Sequence, residues 1–125
     1  MLKPNNRLTK MKDFEILFKE GKFVNGTLSS LKIWKIEPEK YPRRKYTQDE
    51  LRIGFVVSIK ISKKAVDRNR IKRQMREVVR LLIKDNKIKS GFHLAFITKP
   101  EVLGKEYKEI EDDIIKLLRR ADIML

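Results

Sequence analysis

Apolar residues return at helical spacing between Thr9 and Glu20, where Met11, Phe14, Leu17 and Phe18 recur every three or four positions. Gly21 follows where a left-handed C-terminal cap favours glycine, so a short first helix is predicted. From Leu28 to Ile36 (LSSLKIWKI) β-branched and aromatic residues alternate imperfectly with Lys32 and Lys35, which predicts a strand; Leu51 to Ile59 (LRIGFVVSI) predicts a second. Between them EPEKYPRRKYTQDE carries Pro38, Pro42 and eight charged residues, and reads as a long exposed connection with no face to bury. From Asp67 to Lys84 the residues Ile71, Met75, Val78, Val79 and Leu82 form one apolar stripe, with Asp67 placed as an N-cap. Ser90-Gly91 breaks that pattern. Phe92 to Thr98 (FHLAFIT) then predicts a third strand with Leu94 and Phe96 on one face, closed by Pro100. A last helix follows, its stripe made by Tyr107, Ile110, Ile114, Leu117 and Leu118.

The order helix, strand, strand, helix, strand, helix, without an internal repeat, predicts an α+β fold: a small sandwich with helices on one face of a sheet and the other face free for a ligand. At 125 residues and 41% hydrophobic content, the chain 1–125 is expected to form a single domain. No apolar run approaches a membrane span. With no cysteine there is no disulfide, thiolate metal site or thiol nucleophile; a cytoplasmic location is expected. The one histidine, His93, cannot build a His-rich metal cluster, and for a catalytic dyad it would have to find its partner from a strand-like stretch. The acids Glu109, Glu111, Asp112 and Asp113 are consecutive or nearly so on a helix, point around its axis and read as an acidic helix surface. No catalytic set and no metal-binding set emerges.

Charge changes the picture. Thirty-one Lys and Arg against seventeen Asp and Glu give +14, which favours a polyanionic partner. Half of that surplus sits between Lys60 and Arg80, where Lys60, Lys63, Lys64, Arg68, Arg70, Lys72, Arg73, Arg76 and Arg80 face only Asp67 and Glu77. At 100° per residue, Lys72, Arg73, Arg76 and Arg80 fall with Asn69 into one polar sector, a ridge of like charges that costs the free helix stability. Arginine donates paired bonds to phosphate oxygens, so the ridge reads as tracking a phosphate backbone rather than base edges. Phe14, Phe18 and Trp34 are aromatic candidates for stacking unpaired bases, or for the core; with no helix-turn-helix layout they tilt the reading toward RNA.

The run Ala65-Val66-Asp67-Arg68-Asn69-Arg70-Ile71-Lys72-Arg73-Gln74-Met75-Arg76-Glu77 closely resembles the RNR signature of the bacterial ribonuclease P protein subunit. Arg52 to Ser58 resembles the strand before that signature. Arg7-Leu8-Thr9-Lys10 with Phe14, Phe18 and Gly21 is similar to the family's opening helix, and Thr98-Lys99-Pro100 to the end of its last strand. The resemblance implies a left-handed βαβ crossover through the signature helix, the topology of the second domain of ribosomal protein S5. It also implies a partner, a large catalytic RNA subunit whose Mg²⁺ ions remove the 5′ leader of precursor tRNA. The protein is then a binding subunit of a 1:1 ribonucleoprotein, with higher assembly open. By match of position, Arg68, Asn69, Lys72 and Arg76 are implied phosphate and metal-proximal contacts. Arg70, Arg73, Lys63 and Lys64 are implied contacts to the RNA subunit, and Phe14 and Phe18 line a leader cleft between the first helix and the sheet. Where the family often has an aromatic in the first strand this chain has Lys32, and Trp34 is the candidate substitute. Ser58 to Val66 lacks the family's glycine and is one residue longer. A ribosomal or rRNA-associated structural RNA-binding protein is the alternative reading, ahead of a DNA-binding regulator and a stand-alone nuclease.

Overall fold

A computed structural model describes residues 2–125. Its four strands are β1 Lys22–Asn25, β2 Ser29–Lys35, β3 Leu51–Val56 and β4 Phe92–Thr98, in the sheet order β1-β2-β4-β3. The helices are α1 Met11–Glu20, α2 Ala65–Lys84 and α3 Tyr107–Arg120. β2 runs antiparallel to both β1 and β4, whereas β3 and β4 are parallel, which makes α2 the crossover between them. The α+β class and the mixed sheet stand as expected.

The sheet has helices on both faces, not one. Residues of a strand alternate between faces. Leu31 and Ile33 of β2, with Leu94 and Phe96 of β4, bury against Ile71, Met75, Val78 and Val79 of α2 and Ile110, Ile114, Leu117 and Leu118 of α3. On the opposite face Trp34 and Ala95 lie under Ile16 and Leu17 of α1. The first cluster holds twenty-one buried residues and the second seven, so apolar burial stabilises the α2/α3 side far more.

Local differences from the sequence pattern have physical causes. β1 is only four residues (KFVN), too short to show alternation, and gains its pairing by turning back on β2. Gly21 is extended (φ −77°) rather than left-handed; it is glycine because a Cβ there would meet the Leu17 carbonyl oxygen at 2.6 Å and that of Ile33 at 2.9 Å. Asp67 is not the cap of α2, which begins at Ala65 after Lys64. Its carboxylate instead accepts from the Ser62 hydroxyl at 2.9 Å, and Ser62 Oγ accepts from the Lys64 amide at 3.2 Å, folding the longer connection tightly onto the helix. Asp113 is no surface acid: it is buried and accepts from the amides of Thr27 and Leu28 and the hydroxyl of Ser29, at 3.2, 3.1 and 2.8 Å, fastening the β1–β2 turn to α3.

Candidate nucleic-acid interface

The signature helix presents its charges as a row. Asn69, Arg70 and Arg73 are exposed, while Lys72, Arg76 and Arg80 lie half-buried along the shoulder of α2. Val66, Asn69, Arg73 and Arg76 line one shallow groove of about 380 Å³. Arg70 stands about 100° round the axis from Asn69, outside that groove. Among the described residues no carboxylate pairs with Lys72, Arg73 or Arg76. Arg80 differs: its guanidinium makes two bonds to Glu77, at 2.6 and 3.0 Å, so the uncompensated row stops one turn earlier than the sequence suggests. Arg68 is half-buried and donates to the Ser62 carbonyl at 2.8 Å, while Lys60, Lys63 and Lys64 are exposed on the approach to the helix.

The row runs into a cleft. A concavity of about 390 Å³ between the start of α1 and β3 is lined by Arg7, Thr9, Phe14, Gly54 and Phe55, and by Arg76 of α2. A Cβ on Gly54 would run into the Phe14 ring, so the missing side chain is what seats that ring against the sheet. Phe14 stacks on Phe18, one turn along the helix, with centroids 6.4 Å apart, and Phe18 stays 42% exposed. Phe18 is thus the accessible ring of the pair, while Phe14 is half-buried, lines the concavity and packs against the smaller cluster.

Trp34 does not join them. It is 3% exposed, sealed under α1, with Tyr41, Tyr46 and His93 set edge-to-face around it at 5.7 to 5.8 Å. Its strand parity is right, but α1 covers that end of β2. The open end of the same face carries Lys32, half-exposed, and directly opposite it Phe23 of β1, 55% exposed. Phe23 escapes a reading that misses β1; the Gly26 turn ahead of β2, with KFVN before it, is the signal for that hairpin.

The connection between β2 and β3 is not a free loop. Lys40 and Tyr41 bind Glu20 at 2.6 and 2.7 Å, and Arg44 and Tyr46 each bind Asp13 at 2.6 Å, so the charged stretch latches α1 to the sheet and buries Tyr46. Burial raises the Asp13 carboxyl, but bonds from Tyr46 and Arg44 outweigh it and hold the group below its ordinary range. Burial and the Asp13 bond push the Tyr46 phenol up to about 12. His93 is fully buried, with Nε2 3.2 Å from Glu50, and desolvation lowers its pKa despite that carboxylate. It packs as a core residue. Among the described residues no cluster of acids and histidine gathers to hold a metal ion, and no helix is long and apolar enough to cross a membrane.

A cationic helix leading into an aromatic cleft, on an α+β sheet of this order, is the build of a small RNA-binding protein. The Ribonuclease P family profile matches residues 2–122, and the chain belongs to that family. A ribonuclease P protein component from Pseudanabaena sp. (strain PCC 6903) is 35% identical over 124 residues, covering 99% of this chain and 97% of that protein. One from Alkaliphilus metalliredigens (strain QYMF) is 32% identical over 98% of this chain and 99% of that protein. The RNase P protein of Staphylococcus aureus has the same fold, with a TM-score of 0.77 at 22% identity over 96% of this chain and 98% of that one. That of Thermotoga maritima superposes with a TM-score of 0.73 at 27% identity, over 91% and 96%.

Proposed function

We propose that this chain is the protein subunit of the tRNA 5′-processing ribonucleoprotein ribonuclease P, holding the catalytic RNA and the leader of precursor tRNA. In this reading α2, with Lys60, Lys63 and Lys64, grips RNA phosphates, and the cleft beside Phe14 and Phe18 takes the single-stranded leader. Hydrolysis belongs to Mg²⁺ at the RNA active site, and this chain supplies no catalytic residue. One protein serves one RNA subunit, in the cytoplasm.

The observation that carries the reading is that Arg76 lines both the phosphate groove and the aromatic cleft. A strand leaving the α2 row therefore enters the cleft without crossing an uncharged gap. Lys72, Arg73 and Arg76 repel one another in the free protein, and phosphate relieves that repulsion while released counterions supply a salt-dependent driving force.

Reconstitution with the RNA subunit tests this. Protein alone is expected to cleave nothing, while the holoenzyme works at lower Mg²⁺ than the RNA alone and binds precursor more tightly than mature tRNA. Replacing Lys72 and Arg76 together with alanine is expected to reduce the salt dependence of RNA affinity by about 0.7 to 0.9 log unit per log salt for each phosphate that is no longer neutralised. Equal affinity for the two tRNAs would refute the cleft assignment.

A further inference from the structure

We infer that Ser62 is a positioning residue whose hydroxyl holds the Asp67 carboxylate away from Lys63, Lys64 and Arg70, keeping those cations for RNA phosphate. The inference rests on the reading that α2 and its approach grip RNA.

Asp67 is the one acid between Lys60 and Arg76, amid eight cations. Its position invites pairing. Arg70 stands three residues further along α2, and Lys64 and Lys63 lie three and four residues back, where the chain enters the helix. Opposite charges three or four residues apart pair readily on a helix. Lys108 does so with Glu111 and Asp112, at 3.0 and 3.4 Å. Among the described residues, however, no cation pairs with Asp67, and Lys63, Lys64 and Arg70 are exposed.

What Asp67 binds instead is Ser62. The Ser62 hydroxyl donates to Asp67 Oδ2 at 2.9 Å and accepts from the Lys64 amide at 3.2 Å, so its direction is fixed from both sides. The Ser62 carbonyl accepts from the Arg68 guanidinium at 2.8 Å, which ties a third point of the helix start to the same residue. The support is firm as well: Ile61 is buried in the larger cluster, and its amide bonds the Ser58 carbonyl at 3.1 Å. Positive φ among the described non-glycine residues is confined to Lys45, Asn86 and Asp122, so the connection from Ser58 to Val66 turns without any residue in the left-handed region. The extra residue and the serine achieve by hydrogen bonding what a glycine achieves by conformational freedom.

The consequence is electrostatic. A carboxylate paired with Lys64 or Arg70 would occupy that cation's donors and deny them to an arriving phosphate. One held by a neutral hydroxyl leaves the donors open and their counterions to be released.

Binding of the RNA subunit is measured over a range of salt. Ser62→Ala lets the carboxylate pair, and is expected to weaken binding about two- to fivefold and lower the salt dependence by about 0.7 to 0.9 log unit per log salt, one phosphate contact. Ser62→Thr keeps the hydroxyl and both wild-type values. Adding Asp67→Asn to Ser62→Ala restores the salt dependence, which a purely structural role of Ser62 excludes, because the double variant lacks the bond as well. Asp67→Asn alone keeps an acceptor for the hydroxyl and leaves the salt dependence unchanged, a reading that stands even if Ser62→Ala folds poorly. A rise of about 0.7 log unit or more with Asp67→Asn would show that Asp67 already neutralises a cation, and overturns the inference. So does a Ser62→Ala loss that persists in the double variant, or no loss at all. If Lys63→Ala with Lys64→Ala leaves affinity and salt dependence at their wild-type values, the RNA-gripping reading itself has failed.

Discussion

Toward α2 and α3 the sheet presents Leu31, Ile33, Leu94 and Phe96 to two apolar helix stripes; toward α1 it presents Trp34 and Ala95 to a helix whose Phe14 is half-buried at Gly54 and whose Phe18 is open to solvent. The first face is closed mainly by apolar burial, with the buried carboxylate of Asp113 fastening the β1–β2 turn to α3. The second is closed by a few aliphatic side chains and a ring of ion pairs and phenol bonds from the β2–β3 connection. The difference follows from what each face is for. A helix that borders an open cleft cannot bury a full apolar stripe, so α1 leaves Phe18 outside the core and is anchored by Asp13 and Glu20 as well. Directional bonds fix its angle where packing does not.

The sharpest way to break this comparison is to empty the dry face. Phe96→Ala is expected to cost about 3 to 5 kcal/mol in urea unfolding, because Phe96 is fully buried in the larger cluster and stacks on Phe55 of β3 with centroids 5.8 Å apart. A loss as small as that of a surface substitution would mean that the α2/α3 face does not carry the fold. Next comes the latch. Asp13→Ala leaves the Tyr46 hydroxyl and the Arg44 guanidinium without their acceptor, an expected cost of about 1 to 3 kcal/mol. Discrimination between precursor and mature tRNA should fall with it, while affinity for the RNA subunit stays. A parallel fall in both would show that α1 serves general RNA binding.

The smallest effect is a pH slope. The folded pKa of His93 is depressed below its ordinary 6.5 by burial, against the pull of Glu50 and Asp13 and with a push from Arg52. The unfolded chain therefore takes up the proton first, so stability is level above pH 6.5 and declines as pH falls through the folded value. Asp13, held below its ordinary 3.8, adds a second decline at lower pH. His93→Gln is expected to flatten the urea midpoint across the upper window only. An unchanged slope there would assign it to other groups.

Much of this was legible along the chain because it rests on period and charge. The α2 stripe, β4, the α3 stripe and the cationic sector each extend over enough residues for the pattern to repeat. What was illegible depended on tertiary placement. Trp34 shares the face of the cleft, but no local pattern says that α1 covers its end of β2. The stretch around Tyr46 looked unable to bury a face because its charges find their partners, Asp13 and Glu20, far back in the sequence. Asp113 read as one acid among four until the turn at Thr27–Ser29 closed over it. Arg80 read as part of the ridge, since spacing alone does not show which cation Glu77 takes.

The uncompensated groups of α2 ride on a stiff rod. Asn69 to Arg76 climbs about 10 Å at 1.5 Å per residue, so the roots of these side chains keep a fixed spacing while their long stems turn. The stems take up small irregularities in a bound chain, but the spacing of their roots does not change. If α2 grips RNA as proposed, a polyanion whose charges already fall near that spacing gains most from it, and one that must be bent to fit gains less.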